Sequence, residues 1–307
     1  MTGHSCDRAL DELGVARVVG AQFPELRGAA VRRLGAGWDN ESFVIGDEEW
    51  VFRFPKRAEG VPWLLREVVV VGRVSAALGA VVPRFEHVGA PSGDFPYPFV
   101  GYRFVRGVDA DHPDVPRLPL AREIGGLLRN LHAIDPSDIP AAPAGSEERS
   151  VTTRVSEISA LAPAVAARLP ESVATRAVPY LLGEVPAPPA PRAEANRLCH
   201  NDICAEHLLV DPTTGQIAGL LDWTDAMVTD PLVDFVGLIT IGGYGFIGDV
   251  VSAYESSGGE AAGQAFWERL VWWCRVLTLI WLGEALGEHS PEVDRHLAWV
   301  ERAFAER

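Results

Sequence analysis

Between Leu198 and Phe235 the chain reads LCHNDICAEHLLVDPTTGQIAGLLDWTDAMVTDPLVDF, with His200, Asp202, His207, Asp222, Asp225, Asp230 and Asp234 set among short apolar runs. HLLVD and IAGLLDW read as buried strands, and a carboxylate at the end of a buried strand is costly unless something cationic meets it. A fold that keeps this stretch must therefore bring positive charge to it. A metal-bound phosphate is the natural candidate.

The charge balance of the whole chain narrows the partners. Twenty-seven Lys+Arg against 42 Asp+Glu leave a formal charge of −15 on 307 residues, which argues against nucleic acid or an anionic membrane, because both attract basic surfaces. With 48% hydrophobic and 22% charged residues the chain can build a large core, and its length suits two lobes better than one. Cys6, Cys199, Cys204 and Cys274 show no repeated CxxC spacing, and MTGHSCDRALDELG has neither a basic start nor an apolar stretch. A reduced, cytoplasmic protein is the expectation, a monomer with no membrane partner. Two apolar segments resemble membrane spans, but Pro231–Val251 contains Asp234 and Asp249 and Leu270–Leu286 contains Arg275 and Glu284; both read as core.

From Val31 to Pro55, VRRLGAGWDNESFVIGDEEWVFRFP alternates apolar and polar residues with glycine punctuation, which reads as a β-meander. VPWLLREVVVVGRVSAALG then carries Leu64, Val68, Val71 and Leu78 at helical spacing and stops at Gly79. Arg84–Gly89 and Phe99–Val105 suggest a further strand pair. The texture changes after Gly107, where PLAREIGGLLRNLHAI opens a mainly helical region with patches at Val155–Ala167 and Ser172–Leu182 and closing helices at Ala265–Leu286 and Pro291–Ala305. The expected architecture is α+β, with a small β-rich lobe over 1–106 and a larger helical lobe over 107–307. PSDIPAAPAGS and GEVPAPPAPRAE read as loops.

Transfer of a terminal phosphoryl group to a hydroxyl asks three things of a protein: a hold on Mg²⁺, a group for the hydroxyl proton, and backbone cover for the phosphates. Asp202, in a His-x-Asp turn before a strand, suits the proton. His207 and Asp222 can bring ligands to metal. The GAGWDNES turn, with Gly35, Gly37 and Ser42, supplies the cover; Arg53 on WVFRF can reach phosphates, with Glu67 on the next helix placed to pair with it. Each residue also has a blander reading. Asp202 and Asp222 alone are turn caps, His207 a core histidine, Glu67 a solvated helix residue, and Gly-x-Gly a common hairpin feature.

CHNDICAEHLLVD and LLDWTDAMVTDPLVDF resemble the catalytic loop and metal-binding turn of the aminoglycoside phosphotransferase family, whose members share a bilobal protein-kinase-like fold. The resemblance implies a cytoplasmic antibiotic kinase with Asp202 as catalytic aspartate and His207 and Asp222 as metal ligands. Histidine at 207 is a variant seen in aminoglycoside 2″-kinases and macrolide 2′-kinases. Kinase-like folds usually place lysine on the third strand; here Arg53 stands there, as in macrolide kinases, and the sole lysine, Lys56, follows it as a second candidate. By the same resemblance Tyr102 lies beside the base, and GTP serves at least as well as ATP as donor.

The acceptor is an aminoglycoside in the first reading. Between Leu198 and Trp267 there are ten Asp or Glu and no Lys or Arg, a field that draws in cationic substrates. The segment after Asp234 resembles the macrolide kinases instead, and Ile239, Ile241, Tyr244, Phe246, Trp272, Trp273 and Trp281 would suit the wall of a macrolactone site. A metabolite kinase and a non-catalytic pseudo-kinase complete the alternatives.

Overall fold

The computed structural model describes residues 6–37, 39–143 and 151–306, with backbone alone for 151–155. The chain forms two compact units. The first holds the sequence up to Arg106 together with Ser137–Pro143 and Gly219–Thr224, and the second holds the remainder. A single boundary at 106/107 therefore needs correcting. The segment 219–224 belongs with the first unit because Trp223 and Thr224 hydrogen-bond to Glu67.

The first unit opens with α1 (Glu12–Gln22), capped by the Asp11 carboxylate, which accepts from the Gly14 N–H at 2.7 Å. β1 (Val31–Ala36), β2 (Asn40–Ile45) and β3 (Trp50–Pro55) form the meander. After α2 (Val61–Leu78) come β4 (His87–Gly89) and β5 (Phe99–Arg103), and the sheet order is β1-β2-β3-β5-β4. α2 ends where Gly79 takes φ +74°, a conformation that favours glycine.

Strand register separates the two faces. Phe43 lies opposite Phe52 and Ile45 opposite Trp50; with Phe54, Phe95, Phe99 and the α1 valines Val15, Val18 and Val19 they form the core of this unit. Each such side chain contributes about 1.5–3 kcal/mol by leaving water. The core is tight enough to demand Gly101, where a Cβ would come within 2.6 Å of the Phe52 ring. The other face carries Ser42 opposite Arg53 and Val51 opposite Tyr102.

In the second unit β6 (Val108–Asp109) pairs antiparallel with β8 (Leu208–Val210), and β7 (Arg197–Cys199) with β10 (Met227–Thr229). β9 (Ile217–Leu220) follows β8. The helices are α3 (Arg117–His132), α4 (Val151–Ala166), α5 (Glu171–Leu181), α6 (Val233–Val236), α7 (Ile239–Ser256), α8 (Gln264–Gly287) and α9 (Val293–Ala303). α3 packs on α7, where a Cβ on Gly125 would lie 2.6 Å from that of Ala253; α8 packs on α4 and α9. α8 is long and apolar enough to cross a membrane, yet Leu270, Cys274, Leu279, Ile280 and Leu282 along it are buried inside the protein.

α1 and α7 form helices that sequence periodicity did not single out. The residues offered as a macrolactone wall also need correcting. Ile239, Ile241, Tyr244, Phe246 and Trp272 are buried core, and the Tyr244 hydroxyl donates to the Ala303 carbonyl at 2.8 Å. Trp273 and Trp281 are half-buried on α8.

Candidate active site

In the first unit, register and one ion pair assemble most of the expected nucleotide-binding residues. Gly35 lies opposite Ser42, and Ser42 opposite Arg53. These positions share the sheet face that Tyr102 occupies opposite Val51. Antiparallel partners point to the same side, so four candidates distant in sequence meet on one surface. Gly35 and Gly37 are exposed, have ordinary negative φ and would find nothing closer than 4 Å on gaining a Cβ, apart from the Asn40 carbonyl at 4.0 Å from Gly37. Among the described residues neither packing nor positive φ calls for glycine there. Trp38, between them and Asp39, lies outside the described residues. Tyr102 is 9% exposed and faces Phe85 across 6.1 Å.

Arg53 is buried, and its guanidinium is spent on this unit's own acids. Nη1 donates to Glu67 Oε1 at 2.6 Å; Nη2 donates to Asp222 Oδ1 at 3.1 Å and to the Thr224 hydroxyl at 3.3 Å. Burial works against its charge, but Asp222 and then Glu67 outweigh burial and hold the guanidinium above its ordinary value. Glu67 also accepts from the Trp223 N–H at 3.1 Å and the Thr224 hydroxyl at 3.0 Å. Asp222 stands at φ +59°, uncommon for a residue other than glycine, with its side chain 39% exposed. Aspartate is among the few residue types that adopt this conformation readily, and here its Oδ1 accepts from Arg53.

Lys56 is at least as buried as Arg53, and its Nζ donates to the Gly37 carbonyl at 2.5 Å. It does not stand in for the Arg53 ion pair; it ties the end of β3 to the glycine turn.

The second unit holds Asp202 and His207. The Asn201 backbone turns through φ +68°, and the loop is held from behind by Asp234, which is fully buried. Asp234 Oδ2 accepts from the His200 N–H and from His132 Nε2, each at 3.1 Å, and Oδ1 accepts from the Asn201 N–H at 2.7 Å. His132 Nδ1 in turn lies 3.1 Å from the Tyr254 hydroxyl. His200, fully buried, accepts the Asp202 N–H at 3.3 Å. Behind the loop, Gly237 is obligatory because a Cβ there would run into the Ile203 carbonyl oxygen. Asp202 is thus a side chain on a loop fixed through its backbone.

His207 Nδ1 lies 2.9 Å from the Asp202 carbonyl oxygen and 3.2 Å from its carboxylate Oδ2. Donation from Nδ1–H fixes the tautomer and leaves Nε2 as the ring atom able to ligate a metal. Burial works against protonation of this ring, while Cys204 and Asp202 push its pKa well above the histidine range; a metal ion must displace that proton. Ligand atoms of Asp202, Cys204 and His207 lie within 4.8 Å of one another. The Asp222 carboxylate is the hard oxygen donor that Mg²⁺ prefers, whereas the His207 imidazole is a softer one.

With this geometry in hand, comparison with known proteins is decisive on one point. Residues 30–269, more than half the chain, match a family described as the phosphotransferase enzyme family. The chain belongs to that family. The expected enzyme class, a phosphotransferase, is the class the family describes, and the fold is the kinase-like one of its solved relatives. A GDP and kanamycin complex of an aminoglycoside 2″-phosphotransferase is 22% identical, with 95% of this chain and 98% of that one covered at a TM-score of 0.70. A macrolide 2′-phosphotransferase type I is 18% identical, with 99% and 100% covered at a TM-score of 0.62. Among curated proteins, the uncharacterized protein YcbJ of Bacillus subtilis (strain 168) is 41% identical over 63 residues. The chain spans only a fifth of the length of that relative.

Several residues of the phosphotransferase's site escaped sequence reasoning. Thr224 and the Trp223 N–H complete the Glu67 environment, and His132 joins Asp234 behind the loop. Thr224 had a signal, being two residues beyond a metal-ligand candidate. His132 had none, since 102 residues separate it from Asp234.

Proposed function

We propose that this phosphotransferase moves the γ-phosphate of GTP or ATP to a hydroxyl of a cationic antibiotic of the aminoglycoside class. The observation that carries the reading is the Asp202 loop, in which a buried Asp234 fixes the backbone of His200 and Asn201 and so aims the Asp202 carboxylate. Asp202 accepts the proton of the attacking hydroxyl and orients its oxygen. Gly35, Gly37 and Ser42 cover the phosphates, Tyr102 stands at the base, and Glu67 holds Arg53. Asp222 in the first unit and His207 in the second are each a candidate ligand for Mg²⁺, which when bound would neutralise charge on the triphosphate. GTP is favoured as donor because the aminoglycoside-modifying relative was solved with GDP.

Two observations support a polycationic acceptor. The acidic excess of −15 draws cations, and most of the apolar side chains that would have lined a macrolactone site are instead core. A macrolide 2′-hydroxyl is the second reading, supported by the full-length likeness to a macrolide phosphotransferase. Unpaired cysteines at 6, 199, 204 and 274 support a reduced, cytoplasmic setting, and we propose a monomer that uses neither nucleic acid nor membrane.

The test incubates purified protein with GTP or ATP, Mg²⁺ and, in turn, kanamycin, a macrolide, choline and homoserine. The reading expects nucleotide consumption stimulated by kanamycin with a phosphorylated product. Stimulation by the macrolide alone would transfer the assignment to the second reading, and stimulation by a small alcohol alone would make the protein a metabolite kinase.

A further inference from the structure

We infer that Asp202, Cys204 and His207 form a site for a transition-metal ion of the Zn²⁺ type, and that an ion held there silences the enzyme by occupying the Asp202 carboxylate. The binding half of the inference stands apart from the proposed function; the silencing half rests on it.

The three side chains belong to one loop of the second unit. Ligand atoms of all three lie within 4.8 Å of one another, and His207 Nδ1 is 3.2 Å from Asp202 Oδ2. A tetrahedral Zn²⁺ with bonds of about 2.0–2.3 Å spaces its ligands at about 3.3–3.8 Å, so closing on an ion asks only small side-chain rotations. The ion takes Nδ1, the ring edge that faces Asp202, whereas the Mg²⁺ reading uses Nε2. The backbone beneath is already set. Asp234 accepts from the Asn201 N–H at 2.7 Å, the Thr240 hydroxyl accepts from the Ala205 N–H at 3.0 Å, and Gly237 abuts the Ile203 carbonyl oxygen. Ligands on a loop ordered beforehand bind an ion without the cost of ordering it. All three side chains are partly exposed, which gives an ion its way in.

Cys204 decides which ion. Carboxylate and water suit Mg²⁺, whereas a donor set of sulfur, imidazole and carboxylate selects the softer transition ions. The thiol gives up its proton to solvent as the metal–sulfur bond forms, and three protein ligands leave one position for water. His132, Cys199 and Asp234 also bring ligand atoms together, but that group is buried and its polar atoms are spent on Tyr254 and the loop backbone. It braces the fold, and the loop triad is the accessible one.

Co²⁺ is the spectroscopic probe, because a thiolate on Co²⁺ gives a near-ultraviolet charge-transfer band that carboxylate and imidazole ligands lack. Titration of the full-length protein should raise that band to a plateau at one ion per chain. Cys204→Ser and Cys204→Ala should abolish it and weaken Zn²⁺ binding by roughly a hundredfold or more, since disturbing even the partner of a metal ligand costs about 10–100-fold. Cys6→Ser should leave it intact. Zn²⁺ should also slow alkylation of Cys204 by iodoacetamide without slowing that of Cys6. A wild-type protein without the band, or a band that survives in Cys204→Ser, overturns the site.

Turnover with GTP, Mg²⁺ and kanamycin tests the silencing half. Zn²⁺ should lower the wild-type rate by roughly a hundredfold, the scale of a lost proton acceptor, and a chelator followed by excess Mg²⁺ should restore it. Both Cys204 variants should turn over as wild type does and resist Zn²⁺. Equal inhibition of wild type and Cys204→Ala overturns this half. If no acceptor is phosphorylated, the proposed function fails and the silencing half falls with it, while the cobalt and alkylation readouts still decide the site.

Discussion

Removing Glu67 tests how the first unit stores its charges. The carboxylate is 1% exposed and accepts from Arg53 Nη1 at 2.6 Å, the Trp223 N–H at 3.1 Å and the Thr224 hydroxyl at 3.0 Å. Glu67→Ala strips all three donors and leaves a guanidinium only 8% exposed. Breaking a buried ion pair by deleting one partner costs about 3–5 kcal/mol, and an orphaned buried N–H adds about 1–3 kcal/mol. Asp222 remains 3.1 Å from Nη2 and compensates part of the charge, so the expected net loss is about 3–4 kcal/mol. Glu67→Gln keeps an acceptor for Arg53 and Trp223 and loses the charge and the oxygen that accepts from the Thr224 hydroxyl, for about 1–2 kcal/mol. Replacing both members, Arg53→Met with Glu67→Leu, should cost less than Glu67→Ala alone, because no buried charge is stranded. Urea unfolding followed by circular dichroism and tryptophan fluorescence measures these losses, provided the two probes coincide. A Glu67→Ala loss below about 1 kcal/mol, or a Gln variant as damaged as the Ala variant, would refute the reasoning.

Three further outcomes follow. Gly237→Ala drives a methyl into the Ile203 carbonyl oxygen, so it should destabilise by about 1–3 kcal/mol and depress turnover more than nucleotide affinity, which steady-state kinetics beside a binding titration would separate. Burial pushes the thiols of Cys199 and Cys274 up, so native protein at pH 8 should be alkylated by iodoacetamide at the half-buried Cys6 and Cys204 and spared at the other two; peptide mapping checks this. Asp211 accepts from the Thr213 hydroxyl and N–H, each at 2.7 Å, and from the Thr214 N–H at 3.1 Å, which hold its carboxyl below the usual range. Its contribution to stability is therefore present above about pH 4, the unfolded value, and is lost as pH falls through the lower folded value. Asp211→Ala should flatten the acid limb of the stability profile there.

The parts of the fold that were legible share a cause. In β2 and β3 the apolar residues alternate because one face packs on α1, and in α2 they recur at helical spacing up to a glycine that must adopt positive φ. The hidden parts are those where tertiary contacts override local preference. α1 places Gly14, Gly20 and three buried valines in one helix, and α7 contains Gly242, Gly243, Gly245 and Gly248, all poor helix formers. Packing of α7 on α3 decides that segment. Apolar periodicity also does not distinguish a pocket wall from core, and Ile239, Tyr244 and Phe246 belong to the core.

At the site, local spacing singles out Asp202 and Asp222 as candidates because each lies in a short loop beside apolar runs. The pairing of Arg53 with Glu67 was legible because a strand leads directly into a helix. The second carboxylate on Arg53 was not, since Asp222 lies 169 residues away. Nor could spacing reveal that Lys56 turns toward Gly37, a contact decided by backbone bonds to Asp7 and Asp39.

Asp202 is the residue on which the account turns, and product analysis of its conservative variant probes it most directly. With GTP, Mg²⁺ and an aminoglycoside, mass spectrometry should find one added phosphoryl group on the acceptor with wild-type protein. Asp202→Asn should slow that gain by about 10²–10⁴-fold while nucleotide affinity is retained. Phosphorylation by Asp202→Asn at the wild-type rate would contradict the account.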